Sequence, residues 1–141
     1  MKLESKKISI VTNCFNEEAN VEEVYRRVKK AVENVPMAAY YEHIFIDNAS
    51  TDDTVSVLKN LALHDSALKV IVNNRNFGQI RSGNHGLLQA TGDAVIHVVA
   101  DLQDPPELIS KLIQKWREGY CVVIGQKTGT RDGWLMRIIR K

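Results

Sequence analysis

Two aspartates stand where a carboxylate is hard to leave without a partner. Asp47 closes the apolar run "HIFIDN", and Asp101 follows "AVIHVVA" at the head of "DLQDPPEL". An ionised group at the end of a buried strand is costly unless a hydrogen-bond donor or a cation meets it. Each aspartate therefore marks a place where a donor-rich ligand edge or a metal ion fits. Other apolar runs end the same way. "TNCFNEE" supplies Asn13, Asn16 and Glu17, "NNRNFG" supplies Arg75 and Asn76, and Gln103 and Asp104 follow Asp101. Polar loops of this kind also arise for purely structural reasons, because Asn, Asp and Ser cap helices and tolerate turn geometry. Asn20, Ser50, Thr51, Asp52, Asp53, Asp104, Pro105 and Glu107 are accounted for in that way; Asp47 and Asp101 are not.

The elements that must position these residues can be read from the hydrophobic pattern. "KISIVTN", "HIFIDN", "LKVIVNN", "AVIHVVA" and "CVVIGQ" are near-continuously apolar, as strands covered on both faces are. Between them lie helical spacings. Asn20 and Glu23 form a capping box before Val21, Val24, Tyr25, Val28, Ala31, Val32 and Val35. Ser50 or Thr51 opens a second helix whose inner face is Val57, Leu58, Leu61 and Ala62, and a third runs from about Gln79 to Ala90. In the fourth, Asp104 is the N-cap, Pro105 the first helical residue and Glu107 the N3 acid, with Leu108, Ile109, Leu112, Ile113 and Trp116 facing inward. Alternating strands and helices predict an α/β fold, a doubly wound, mostly parallel sheet with right-handed crossovers. Ligands bind such a sheet outside the carboxyl ends of its strands, and the four polar loops share that rim. "DGWLMRIIRK" begins another basic amphipathic helix, expected to pack as core against a continuation of a longer chain.

Composition narrows the classes. The 141 residues suffice for one packed domain, and 44% hydrophobic with 26% charged residues is a globular balance. Nineteen basic against seventeen acidic residues leave +2, which gives no footing for nucleic acid. Cys14 and Cys121 form no CxxC, so reduced thiols in a cytoplasmic protein are expected. "MKLESKK" lacks the apolar core of a signal peptide, and no run has transmembrane length. His43, His64, His85 and His97 are expected in core or surface positions, His43 and His64 near element ends. A phosphoacceptor domain of flavodoxin-like topology would need an acidic cluster after the first strand, and "TNCFNEE" does not supply one.

In order and spacing, "ISIVTNCFNEEANVEEVYRRV", "IFIDNASTDDT", "NRNFGQ" and "GDAVIHVVADLQDPPELISKLIQKWREGYCVVIGQK" resemble the inverting family 2 glycosyltransferases of GT-A fold, in particular the bacterial branch with polyprenyl-phosphate sugar transferases. The likeness covers nearly the whole chain, and "DLQDPPEL" is its most specific part. It implies a Rossmann-like open αβα sandwich spanning 1–141, forming the nucleotide-sugar-binding part of the domain, with the acceptor side largely beyond it. It implies sugar transfer from a UDP- or GDP-sugar to an acceptor such as polyprenyl phosphate or a growing cell-surface glycan, at the inner face of the cell membrane. The base and ribose fall to Asn13, Phe15, Glu17 and Asp47. Asp47 would accept a base N–H, and Phe15 would form an apolar wall. Asp101 matches the metal-binding acid of the DxD motif, for Mg²⁺ or Mn²⁺, and Gln103 is a second oxygen donor or a phosphate contact. Asn76 and Gly78 match the "RNFG" turn, as ligand contact or as a turn beneath the site. No general base is assigned, since capping explains Asp104 and Glu107.

The chain departs from the pattern at three positions. Val99 replaces the first acid of DxD, Asn48 the second aspartate of "DDGS", and Ala49 its glycine. One carboxylate still suffices for a cation that takes its remaining ligands from phosphate and water. The missing acid also leaves room for a second reading, a non-catalytic nucleotide-binding module.

Overall fold

The computed structural model describes residues 6–35 and 40–126. Four strands form one parallel sheet in the order β3-β2-β1-β4. The strands are β1 (Lys7–Cys14), β2 (Tyr40–Asp47), β3 (Leu68–Val72) and β4 (Ala94–Val99). They alternate with α1 (Val21–Glu33), α2 (Thr54–His64), α3 (Gln79–Leu88) and α4 (Leu108–Arg117). Register is regular: Cys14 lies beside Asp47 on one side, and Asn13 beside Val99 on the other. Strand order reverses between β1 and β4, which places the switch point there. The sequence "CVVIGQ" was expected as a further strand, but Cys121–Gln126 is not one, and Val122 and Ile124 are exposed. Among the described residues no further strand lies along the outer edge of β4. The "DGWLMRIIRK" segment lies outside the described residues.

Helices cover the sheet unequally. On one face, Ile8, Ile10, Phe45, Ile96 and Val98 meet Val21, Val24 and Val28 of α1, Leu58 of α2, and Ile109 and Ile113 of α4. That is the main core, and α1 buries the face its spacing predicts. On the other face α3 lies over Val11, Ile44 and Ile46. It comes so close at Gly86 that a Cβ there would lie 2.8 Å from Val11 Cγ1 and 3.0 Å from Ile46 Cγ2. His43 lies within β2 rather than near its end, fully buried and tilted against Phe45 with ring centroids 4.3 Å apart. Burial pushes its imidazole down to about 3, against a smaller opposing effect of Asp65.

Helix starts differ from the sequence reading in three places. The Asn20–Glu23 capping box does not form: Asn20 Nδ2 donates to Glu17 Oε2 at 2.7 Å, and Glu23 pairs with Arg26. α2 begins at Thr54, not after Ser50 or Thr51, and Asp52 Oδ1 accepts the Thr54 N–H at 3.0 Å. α4 begins at Leu108. A residue before proline is driven out of the helical region, so Pro105 followed by Pro106 cannot open a helix. Single turns result, with Leu108 N donating to Pro105 O and Ile109 N to Pro106 O. Glu107 is drawn sideways into a two-pronged pair with Arg27 of α1, which holds its carboxyl down at about 2. Leu108, expected inside, is 38% exposed.

Candidate functional site

The loops after β1, β2 and β3 are joined into one rim by side chains acting on backbone. Asn16 N donates to Ser50 Oγ (2.9 Å), Asn16 Oδ1 accepts Thr51 N (2.8 Å), and Glu17 N donates to Thr54 Oγ1 (2.9 Å). Beneath them Asp47 is fully buried, its carboxylate accepting the Ser50 hydroxyl at 2.5 Å and the Ser50 N–H at 3.0 Å. Asp47 therefore shapes the loop from below. The neighbouring Cys14 thiol is pushed well up by burial, with the charge of Asp47 adding to it, and stays protonated. Asn48 links this pair of loops to the third. Its Nδ2 donates to Asn76 Oδ1 (2.8 Å), and its Oδ1 accepts Phe77 N (2.9 Å).

Among the described residues three non-glycine residues have left-handed backbone: Asn16 (φ 54°), Ala49 (φ 64°) and Leu102 (φ 57°). They fall one each in the loops after β1, β2 and β4. Such a conformation costs roughly 1–2 kcal/mol per residue, and backbone strain of this kind concentrates at functional sites. Asparagine tolerates it. Ala49 and Leu102 do not, and Leu102 directly follows Asp101.

Asp101 is half-buried. Its Oδ1 accepts the Gln103 N–H at 3.0 Å, and the exposed Gln103 lies beside it. Among the described residues no group of three or more His, Cys, Asp or Glu is placed to hold a metal. A single carboxylate with an amide beside it could hold an oxygen-seeking ion only if phosphate and water supplied most of its ligands. Phe15 is 43% exposed at the end of β1. Glu17 is half-buried and tied to Asn20. Asn76 is exposed at its Asn48 contact and also accepts Gly78 N at 2.8 Å. Asn13 faces the α3 side, where its Oδ1 lies 2.8 Å from His97 Nε2. Thus Phe15, Glu17, Asn76, Asp101 and Gln103 lie on the rim surface, while Asp47 and Asn13 are buried under it.

The sequence reading missed three positions that hydrogen-bond the candidate residues. Ser50 was assigned to helix opening, and Asn48 was noted only as a departure. His97 gave a usable signal, a polar ring in the middle of an apolar strand. His97 also lines a groove of about 1030 Å³ along the open edge of β4, together with Val95, Gln103, Leu112, Trp116 and Ile124.

A parallel α/β sheet with a strained, polar rim at its switch point and one half-open carboxylate defines a GT-A type fold. Solved structures share it. A mannosyltransferase from Pyrobaculum calidifontis, PcManGT, solved with GDP-Man and Mn²⁺, superposes with a TM-score of 0.65 at 21% identity, over 77% of this chain and 32% of that one. S. aureus TarS 1-349 in complex with UDP-GlcNAc gives 0.57 at 27% identity, over 67% and 26%. The family model described as glycosyl transferase family 2 matches residues 9–137, and the chain belongs to that family. Among its relatives, the glycosyltransferase YkcC of Bacillus subtilis (strain 168) is 39% identical over 85% of this chain and 36% of its own length. An undecaprenyl-phosphate 4-deoxy-4-formamido-L-arabinose transferase of Proteus mirabilis is 35% identical over 96% and 41%. The chain thus spans about two fifths of the length of these relatives.

Proposed function

We propose that this chain is the donor-binding part of a transferase that moves a sugar from a nucleotide diphosphate to an acceptor, with inversion at the anomeric carbon. The carrying observation is the rim at the switch point: loops from β1, β2 and β4, each with one left-handed non-glycine residue, the last beside the half-open carboxylate of Asp101. Phe15 forms the apolar wall for the base, and Glu17 and Asn76 supply polar contacts. Asp47 acts through Ser50, holding the loop that meets the nucleotide. Asp101, with Gln103 beside it, would hold Mg²⁺ or Mn²⁺. Such an ion, when bound, stabilises negative charge developing on the leaving diphosphate. The solved neighbours with GDP-Man and Mn²⁺ and with UDP-GlcNAc support a sugar nucleotide of either base.

On the acceptor side, the Proteus relative is named for undecaprenyl phosphate, and we extend that class to this chain. A lipid phosphate is already anionic and needs no general base. Among the described residues no helix is long and apolar enough to cross a membrane. An acceptor of this kind would put the enzyme to work at the inner membrane face.

Calorimetric titration with UDP and GDP, with and without Mn²⁺, tests the reading. The expected result is preference for one base and a tightening of about tenfold or more on adding Mn²⁺. No binding of either nucleotide would contradict it. Binding indifferent to Mn²⁺ would favour the non-catalytic module, the reading that Val99 in place of an acid suggests.

A further inference from the structure

Leu102 stands between the two residues assigned to the cation, and its backbone is left-handed at φ 57°. That conformation crowds an L side chain against the backbone, so a leucine keeps it only where the surroundings over-determine it. Two contacts do so here. Asp101 Oδ1 accepts the Gln103 N–H at 3.0 Å and so closes a turn across Leu102. The Leu102 side chain is partly buried and packs against the main core. The turn is pinned at both ends, by Ala100 at 1% exposure and by the buried Pro106. Between those pins Asp101 is half-buried, and Gln103, Asp104 and Pro105 are exposed. Leu102 is therefore the apolar side chain by which this turn is held to the core.

We propose that Leu102 is a positioning residue: its side chain is a peg that anchors the turn, and so fixes where the Asp101 carboxylate and Gln103 are held for the cation on the diphosphate. The inference rests on the donor-binding reading above and deepens it. Leu102 touches no ligand and acts through Asp101. A glycine here would relieve the backbone but leave the turn free to move, whereas leucine accepts a strained backbone and fixes it. Fixing matters in this chain because Val99 supplies no second carboxylate to keep a cation when Asp101 moves away. A lone ligand serves well only when it is placed beforehand.

The test uses the full chain and measures the Kd of UDP and GDP with and without Mn²⁺, with a melting temperature for every variant. In the unaltered chain Mn²⁺ is expected to tighten binding about tenfold or more. Leu102→Ala and Leu102→Gly should cut that factor to about twofold or less, while the metal-free Kd stays within about twofold of its original value. Leu102→Met, which keeps an apolar side chain of similar volume, should retain most of the factor. Leu102→Gly added to Asp101→Ala should cost nothing more, since the peg acts through that carboxylate. Should Leu102→Ala fail to fold, Leu102→Gly carries the test, because glycine adopts this backbone without strain. A leucine of merely structural role would lower the melting temperature and leave the Mn²⁺ factor as it was. That outcome in a folded Leu102→Ala or Leu102→Gly protein, or a further loss in the double variant, overturns this inference alone. Nucleotide binding by the unaltered chain that is indifferent to Mn²⁺ overturns the cation reading and this inference with it.

Discussion

Replacing Asp101 with alanine is expected to abolish the Mn²⁺-dependent part of UDP or GDP binding, a loss of about tenfold or more in affinity. The fold should survive. Asp101 is half-buried beyond the end of β4, and the hydrogen bond seen at its carboxylate is from the Gln103 N–H in its own loop. The melting temperature should therefore move by only about 2 °C, as for a change outside the core. Asp101→Asn separates charge from shape. Its Oδ1 still accepts from Gln103, so the turn leading into Leu102 is kept, but the anionic oxygen is gone. Equal loss of the metal effect in both variants assigns it to charge. Continued tightening by Mn²⁺ in Asp101→Asn would show that the ion is held elsewhere. The effect should be large because Val99 leaves no second acid in the motif to compensate.

The largest stability effect is expected at the opposite end of the sheet. Glu42 is 2% exposed, and its Oε1 accepts Ser9 Oγ (2.6 Å), Thr91 N (2.8 Å) and Thr91 Oγ1 (2.9 Å). Its Oε2 meets Lys69 Nζ at 2.5 Å and Lys7 Nζ at 3.2 Å. This one carboxylate ties β1, β2, β3 and the turn after α3 together. Glu42→Ala strips five donors of their partner at once; Lys69 and Lys7 are partly exposed and can turn to water, so the cost falls on Ser9 and Thr91, about 2–4 kcal/mol for their unmet donors. Differential scanning calorimetry should show a fall of roughly 5–15 °C in melting temperature.

The same residue makes the fold sensitive to acid. Burial alone would raise the Glu42 carboxyl, but hydrogen bonds from Lys69, Ser9 and Thr91 outweigh it and hold the group well below its ordinary value of 4.5. A carboxylate depressed in the folded state contributes stability above its unfolded pKa and loses it as pH falls. His43 acts with the same sign, since its imidazole is lowered from 6.5 to about 3 by burial. Below pH 6.5 the unfolded chain binds a proton there that the folded chain refuses. Denaturant unfolding should therefore show stability declining from about pH 6.5 and more steeply below about 4.5. Glu42→Ala should flatten the steeper limb, and a wild-type curve level down to pH 4 would contradict this.

Much of this was legible in the sequence, and the misses share a cause. Near-continuous apolar runs gave β1 to β4 and the rim at their carboxyl ends, because burial on both faces leaves that mark whatever the neighbours are. α1 was legible for the same reason: its five buried residues fall on one stripe. "CVVIGQ" has the same composition but pairs with no strand among the described residues, and a strand is a property of two segments, not one. Helix starts were misjudged where a capping side chain found another partner. Glu107 went to Arg27, eighty residues away, and Ser50 to Asp47, three residues back. At the site, the sequence marked Asp47 as needing a partner but not that Ser50, three residues on, would be that partner. Asp101 and Asp47 looked alike in sequence, and the structure separates them: one is closed off by its own loop, the other keeps an oxygen open at the rim.

The central claim is that the rim over β1 and β4 grips a sugar nucleotide, with Asp101 touching the cation on its diphosphate. Crystals of the chain grown with Mn²⁺ and whichever of UDP or GDP it prefers, with the ion located by anomalous scattering, test it most directly. The account predicts Mn²⁺ at about 2.1 Å from a carboxylate oxygen of Asp101, with the diphosphate beside it and the base against Phe15. Mn²⁺ and nucleotide bound away from this rim, or an Asp101 turned from both, would contradict it.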